Sequence, residues 1–329
     1  MKVAIIGDGG WGTALAILTQ KKGIEACLWG AFPENINQLL SKRENTKFLP
    51  GIKIPKNIIL TSDLSAALNQ AELIVLAVPS QFMRQVLKKI AKVEIGKAEF
   101  LSVAKGLELK TAKCMSEIIR EELGNVSLAA LSGPNIAYEV AKGIPSAAVC
   151  ASANKKLAVL VQDIFMNPEF RVYTATDLYG IELAGAFKNI IAIACGISDG
   201  LGFGANTKAA LLTRGLAEIT RLGVAMGARY KTFSGLAGMG DLVTTCFSQR
   251  SRNRGFGEQI GRGNKMADVL KQTDMVVEGV FTTKTALKLA KQYDVLLPIT
   301  QAVYKVLYQG AKPISAMHSL MQRQKKNEI

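Results

Sequence analysis

The 329-residue chain contains one histidine, His318, eleven positions from its end. The commonest side-chain acid and base is therefore missing from the body of the chain, and proton transfer falls to lysine, tyrosine or a carboxylate. His318 itself reads as a surface residue in a polar, basic tail. Cysteine is sparse too: Cys27, Cys114, Cys150, Cys195 and Cys246 are scattered, odd in number and never spaced C-x-x-C. That pattern excludes a cysteine metal site and fits a reducing, cytoplasmic setting. The longest apolar candidate, Ile181 to Ile197, is broken by Glu182 and Lys188, so no membrane span is expected. A strand beginning at Val3 leaves no room for a signal peptide.

Negative charge is also in short supply, with 26 acidic against 41 basic residues and a net charge of +15. Such an excess suits nucleic acid, an anionic surface or small phosphorylated ligands. The densest clusters are Arg250 to Arg254 and the tail Arg323 to Lys326, and no basic helix interleaved with aromatics occurs. Most of the charge reads as solvated surface, part of it steering anions, and nucleic acid is not an expected partner.

What the chain has in plenty is glycine, 30 residues of it, and apolar residues at 49%. The apolar run Val3 to Ile6 suits a strand buried on both faces of a parallel sheet. It leads into Gly7-Asp8-Gly9-Gly10-Trp11-Gly12 and then a helical segment from Thr13. Gly7, Gly9 and Gly12 match G-x-G-x-x-G between a strand and a helix, the fingerprint of a dinucleotide-binding turn. The helix N-terminus offers N–H groups and a positive dipole end to a pyrophosphate. The next strand, Ile24 to Trp29, ends in Gly30-Ala31-Phe32 without Asp or Glu at its tip. A 2′-phosphate is then not repelled, no adjacent arginine grips it, and the cofactor is NAD or NADP.

Alternating strands and helices continue, predicting a helix over Pro33 to Arg43 and strands over Ile58 to Thr61, Leu73 to Val78, Phe100 to Ala104 and Leu128 to Leu131. A helix over Thr111 to Leu123 precedes the last of these, and strands over Ser146 to Ala151 and Arg171 to Thr174 flank a helix over Lys155 to Phe165. From Asp177 the pattern becomes helical. The expected architecture is α/β: a doubly wound Rossmann-type dinucleotide-binding domain, residues 1–178, then an all-α substrate-binding domain, residues 179–329.

Lys188 stands out in an apolar helical segment. Its face carries Ala184, Gly185, Ala192 and Cys195, small enough to leave room for a ligand, and burial would lower its pKa toward the range of an acid/base catalyst. The alternative is a lysine whose head reaches water. Asn189 could hold a substrate oxygen or cap a carbonyl. The segment Ser248 to Arg254 sets three arginines among small polar residues, able to grip a phosphate or to form a solvated loop. Asp241, after a glycine-rich turn, could hold Lys188, bind a hydroxyl or cap a helix. Arg214 and Glu218, four apart, predict an ion pair.

Assembled, the stretches GDGGWGTALA, LPGIKIP, AVPSQ, AKGLE, LSGPNIAYEVA, ELAGAFKNIIAIACGISDG, FSGLAGMGDLVTTCFSQRSRNRGFG and VVEGVFTT resemble bacterial NAD(P)-dependent glycerol-3-phosphate dehydrogenases from the first strand to residue 283. The resemblance implies reversible reduction of dihydroxyacetone phosphate to sn-glycerol 3-phosphate for phospholipid synthesis, by a homodimer, with Lys188 as the acid/base. It implies substrate contacts from Lys105, Gly133, Asn135, Lys188, Asp241, Ser251, Arg252 and Asn253. Beside Gly7, Gly9 and Gly12, it implies cofactor contacts from Gly10, Trp11, Lys105, Ala137, Arg252, Val276 and Glu278. The family often has serine where Gly10 stands and a basic or polar residue where Ala31-Phe32 stands, so the pyrophosphate grip here would rest on backbone N–H groups. Competing readings are another lysine-dependent dehydrogenase, acting on a sugar-acid phosphate or hydroxy acid, and a dinucleotide sensor that binds nucleic acid.

Overall fold

A computed structural model describes residues 1–273, 275–325, 327 and 328. They form two compact units, Met1–Glu108 with Lys113–Glu182, and Leu109–Ala112 with the chain from Leu183 onward. The first contains an eight-stranded sheet: β1 (Lys2–Ile6), β2 (Glu25–Trp29), β3 (Ile59–Thr61), β4 (Leu73–Leu76), β5 (Glu99–Ser102), β6 (Leu128–Ser132), β7 (Ser146–Ser152) and β8 (Phe170–Ala175). The strand order 3-2-1-4-5-6-7-8 begins as the doubly wound order of dinucleotide-binding sheets. Val3 to Ile6 and all of β4 are buried, as central parallel strands covered on both faces must be.

The seven helices of this unit are α1 (Gly10–Lys21), α2 (Pro33–Lys42), α3 (Leu64–Leu68), α4 (Met83–Ile90), α5 (Met115–Leu123), α6 (Ala137–Ala141) and α7 (Lys155–Phe165). Helix α1 packs on β2, α6 and α7, while α4 packs on α5. Arg84 of α4 fixes that second pair, donating to both oxygens of Glu108 and to Glu121 and Glu122 of α5.

Two elements depart from the sequence pattern. The sheet is parallel except that β7 runs antiparallel to β6. The link between them holds only the five-residue α6, too short to carry the chain back along the sheet for a parallel return. Helix α5 starts at Met115, not Thr111, because Ala112 adopts a left-handed conformation (φ 65°) and the N–H of Glu108 closes a turn onto the Lys113 carbonyl. Glu117 then reaches back to the Cys114 N–H, completing a capping box.

Glu182 is a buried acid in this unit, accepting hydrogen bonds from the N–H and hydroxyl of Ser116. Burial pushes its carboxyl up to about 7, against the pull of the Ser116 hydrogen bonds. An acid that binds its proton more tightly when folded contributes stability at low pH and loses it as pH rises from its ordinary value of 4.5 through about 7. The loss has an upper limit of about 3 kcal/mol. Glu182→Gln is expected to flatten this decline, so that urea denaturation at about pH 8 finds the variant more stable than the wild type while the difference vanishes or reverses near pH 5.

The second unit is helical: the remainder of α8 (Leu178–Gly200), then α9 (Ala205–Ala225), α10 (Tyr230–Phe233), a π-helical turn at Leu236–Gly240, α11 (Asp241–Phe247), α12 (Arg252–Gly261), α13 (Met266–Lys271), α14 (Glu278–Gln292), α15 (Pro298–Tyr308) and α16 (Pro313–Met321). Glycine lets α8 and α12 touch backbone to backbone. A Cβ on Gly196 or Gly200 would lie 2.0 or 2.3 Å from carbonyls of α12, and one on Gly257 or Gly261 would lie 2.2 or 2.4 Å from carbonyls of α8. Helix α8 is long and apolar enough to cross a membrane by composition, and its apolar window is wholly buried within the protein.

The expected Arg214–Glu218 pair does not form. Glu218 is buried and caps α15, accepting from the N–H groups of Ile299 and Thr300 and from the Thr300 hydroxyl, while Arg214 reaches Glu328. Free N–H groups at a helix start satisfy a buried carboxylate better than one exposed guanidinium does. His318 lies exposed on α16, a helix where a polar tail was expected. In the basic tail Arg323 and Lys325 are exposed, and Lys326 lies outside the described residues.

Candidate active site

The glycine turn of the first unit divides its labour among three positions. Gly7 has φ +124°, and a Cβ there would meet the Ala77 carbonyl oxygen at 2.7 Å. One on Gly12 would lie 1.9 Å from the Gly7 carbonyl oxygen, so the helix crosses the strand end only because residue 12 has no side chain. Gly9 differs: its backbone is ordinary (φ −67°, ψ 174°), and a Cβ there would meet nothing within 4 Å. Of the three, only Gly9 is not required to be glycine by the fold itself. It is also the N-cap of α1 and supplies no side-chain cap, so the first-turn N–H groups at Gly10 and Trp11 are not taken by one. An uncapped twelve-residue helix behind an open glycine fits a pyrophosphate. Gly10 is tightly placed: a Cβ would sit 2.6 Å from the Phe48 carbonyl oxygen, which explains the missing serine.

The reading that the tip of β2 carries no carboxylate needs correction. No acid follows Trp29 in sequence, yet the Asp8 carboxylate stands over Gly30. The turn at Gly7 brings the next residue of the glycine motif to the end of the neighbouring strand.

Farther along the carboxyl edge, Lys105 donates from Nζ to the Gly133 carbonyl at 2.9 Å. Gly133 has φ +142°, and the Asn135 N–H closes back on its carbonyl. Asn135 donates its amide to the Ala147 carbonyl, leaving a buried Oδ1 with no hydrogen-bond partner among the described residues. Such an atom is an acceptor available to a bound hydroxyl or amide. Ala137 opens α6 and is half-buried against the core.

In the second unit Lys188 is buried on α8, its Nζ 2.8 Å from Asp241 Oδ1 and hydrogen-bonded to the Thr245 hydroxyl, which also donates to Asp241. The lysine does not reach out to water. The Asp241 carboxylate and the Thr245 hydroxyl are among the partners that compensate its burial. On its face Ala184, Gly185, Ala192 and Cys195 are all buried. Cys195 lies in hydrogen-bonding contact with Cys246 of α11. Thr245 escaped the sequence reading. Its spacing of four from Asp241 on one short helix is the signal that sets both on one face.

The arginine segment is part loop and part helix. Ser251 is the buried N-cap of α12, accepting from the Arg254 N–H, and Arg252 and Asn253 form the first turn. Arg252 is exposed and donates to the Val276 carbonyl at 3.1 Å. Arg254 is committed elsewhere, to Asp199 at 2.7 Å and Glu258 at 3.2 Å, so it does not join a three-arginine grip. Asn253 bridges Asn189 Oδ1 and the Gly279 N–H, next to Glu278 at the start of α14. Arg252, Asn253, Val276 and Glu278 therefore gather in one neighbourhood, as do Lys188, Asp241 and Thr245. No group of three or more His, Cys, Asp or Glu suited to a metal occurs among the described residues.

The family description "NAD-dependent glycerol-3-phosphate dehydrogenase N-terminus" matches residues 2–158, and its C-terminus counterpart matches residues 177–318. The chain belongs to the NAD-dependent glycerol-3-phosphate dehydrogenase family. Glycerol-3-phosphate dehydrogenase [NAD(P)+] of Syntrophomonas wolfei is 50% identical over 100% of this chain and 96% of its own length. That of a Thermoanaerobacter species is 48% identical over 100% and 99%. Among solved structures, glycerol-3-phosphate dehydrogenase from Coxiella burnetii matches with a TM-score of 0.95 at 36% identity, covering 98% of this chain and 99% of that one. The Plasmodium falciparum enzyme matches with a TM-score of 0.87 at 26% identity, covering 99% and 97%. Within this chain, the open Gly9, the Lys188–Asp241–Thr245 cluster and the exposed Arg252 are the features with evident chemical capacity.

Proposed function

We propose that the chain reduces dihydroxyacetone phosphate reversibly to sn-glycerol 3-phosphate, with Lys188 as the acid/base group. It is an oxidoreductase that uses NAD or NADP, and the bound nicotinamide supplies the hydride. The observation that carries the chemistry is the buried Lys188 ammonium held between Asp241 and Thr245. In a chain with one exposed histidine, this is the proton donor that the reduction of a ketone requires. Lys188 Nζ protonates the carbonyl oxygen as the hydride arrives and takes the proton back from the hydroxyl in the reverse direction. Asp241 and Thr245 fix the direction of its N–H bonds.

Residues 1–178 serve as the dinucleotide-binding domain and residues 179–329 as the substrate domain. Gly7, Gly9, Gly10, Trp11 and Gly12 receive the pyrophosphate, and Lys105, Ala137, Arg252, Val276 and Glu278 complete the cofactor contacts. Gly133 and Asn135 contribute polar contacts to the substrate with Lys105. The phosphate falls to Ser251, Arg252 and Asn253, where a guanidinium and the ten-residue α12 N-terminus offer charge and N–H donors. The assembly is a homodimer working in the cytoplasm, where its five buried free thiols stay reduced, and its product feeds phospholipid synthesis.

Turnover of NADH with dihydroxyacetone phosphate, compared with 6-phosphogluconate-type and 2-keto-acid partners, tests this reading. Activity confined to the triose phosphate supports it, and activity only with one of the others overturns it. Arg252→Ala is expected to raise KM for dihydroxyacetone phosphate about ten- to hundred-fold, the worth of a lost charge-assisted hydrogen bond. Phosphate-free dihydroxyacetone should be spared. An unchanged KM would remove Arg252 from the phosphate site.

A further inference from the structure

The end of β2 holds a carboxylate that sequence order hides. Ile6 of β1 pairs with Trp29 of β2, and the Gly7 N–H then bonds the Trp29 carbonyl at 2.9 Å. This bond and the left-handed Gly7 turn place Asp8 across the carboxyl end of β2. The Asp8 side chain occupies the room above Gly30, where an added Cβ would lie 2.6 Å from Oδ2 and 2.7 Å from Cγ. Residue 30 is glycine because residue 8 fills its side-chain space. The backbone there is pinned as well: buried Asn45 donates one Nδ2 hydrogen to the Asp8 carbonyl and the other to Thr13, both at 2.8 Å.

In a doubly wound sheet, the carboxyl end of this strand is where an acidic residue bonds the adenosine ribose hydroxyls and meets a 2′-phosphate with like charge. That acid ordinarily follows the second strand, about twenty residues after the glycine motif. Here it lies inside the glycine motif and reaches the same place through the sheet. We infer that Asp8 is the residue that selects the dinucleotide, accepting a hydrogen bond from the ribose 2′-hydroxyl and disfavouring a 2′-phosphate, so that the chain prefers NAD(H) to NADP(H). The inference rests on the dinucleotide site proposed above.

The charges nearby do not reverse this. Burial pushes the Asp8 carboxyl up from its usual range, against a hydrogen bond from its own backbone N–H and the weaker pull of Lys47. Lys47 is exposed, lying over the Phe48 ring, so solvent screens whatever attraction it offers a phosphate. Arg43, the nearest arginine in sequence, is spent on the carbonyls of Pro55 and Ile58.

Binding without substrate tests the assignment, with quenching of the two tryptophans, Trp11 and Trp29, as the signal. The wild type should bind NADH at least about ten-fold more tightly than NADPH, and adenosine 5′-monophosphate should displace NADH better than adenosine 2′,5′-bisphosphate does. Asp8→Asn, nearly isosteric, should narrow the NADH-to-NADPH ratio by about ten-fold, chiefly by tightening NADPH. Equal or tighter NADPH binding by the wild type would overturn the inference. So would a ratio unmoved in Asp8→Asn, or one set instead by Lys47→Ala. The displacement by these two adenosine nucleotides tests the wild-type preference even if the variant does not fold. Failure of the wild type to bind either dinucleotide would overturn the cofactor reading itself, a result distinct from a reversed preference.

Discussion

Lys188→Ala is expected to lower kcat by at least about a hundred-fold while leaving the dissociation constant of NADH within a few-fold of wild type. The removed ammonium is the donor to the carbonyl oxygen, and the contacts assigned to the dinucleotide lie on other residues. Stability must be separated from chemistry, because the substitution takes the Lys188 ammonium away from the buried Asp241 carboxylate. Breaking a buried ion pair from one side costs about 3–5 kcal/mol. Activity is therefore best measured well below the melting temperature, beside Lys188→Met and the double variant Lys188→Met/Asp241→Asn. The double variant removes both charges and should recover much of the lost stability without recovering kcat. If kcat returned with stability, Lys188 would be a structural lysine and the proton would come from elsewhere.

Two glycines of one turn should respond in opposite ways. Gly12→Ala puts a Cβ 1.9 Å from the Gly7 carbonyl oxygen, a backbone atom that cannot swing aside. Overpacking of a yielding core costs about 1–3 kcal/mol, and a backbone overlap should reach the upper end or beyond. The expected result is a lower melting temperature and loss of dinucleotide binding together. Gly9→Ala puts its methyl into open space on a backbone that alanine adopts freely. Its melting temperature should stay close to wild type while NADH affinity falls by about ten-fold or more, since the methyl stands where the pyrophosphate would approach. Calorimetry alongside a NADH titration separates the two. Full NADH affinity in Gly9→Ala would mean that the phosphates lie elsewhere.

Much of the sheet could be read from local signals. Helix α7 is legible to the residue, because Asn154 accepts from the N–H groups of Lys156 and Leu157 just where the apolar period begins. The runs around β1 and β4 are apolar enough to announce burial on both faces. What escaped depends on pairing between distant segments. Asp8 is adjacent to Gly9 in sequence, and its role at the end of β2 exists only once β1 and β2 are in register. Glu218 has an arginine four residues away and still turns to α15, whose start lies about eighty residues on. Arg254 looks equivalent to Arg252 in the loop composition, but one turn of α12 faces it toward Asp199. Lys188 was conspicuous as a charge in an apolar helix. Thr245 was not, because a threonine in a helix has no anomaly to notice until its partner is known.

The most direct test is the reaction itself, with both sides measured: NADH consumed and sn-glycerol 3-phosphate formed when purified protein meets dihydroxyacetone phosphate. Equimolar loss of NADH and gain of sn-glycerol 3-phosphate, abolished by Lys188→Ala in protein that still binds NADH, is the expected result. NADH consumption without sn-glycerol 3-phosphate, or a full yield of it from the Lys188→Ala protein, would contradict the assignment of Lys188 as proton donor to a triose phosphate.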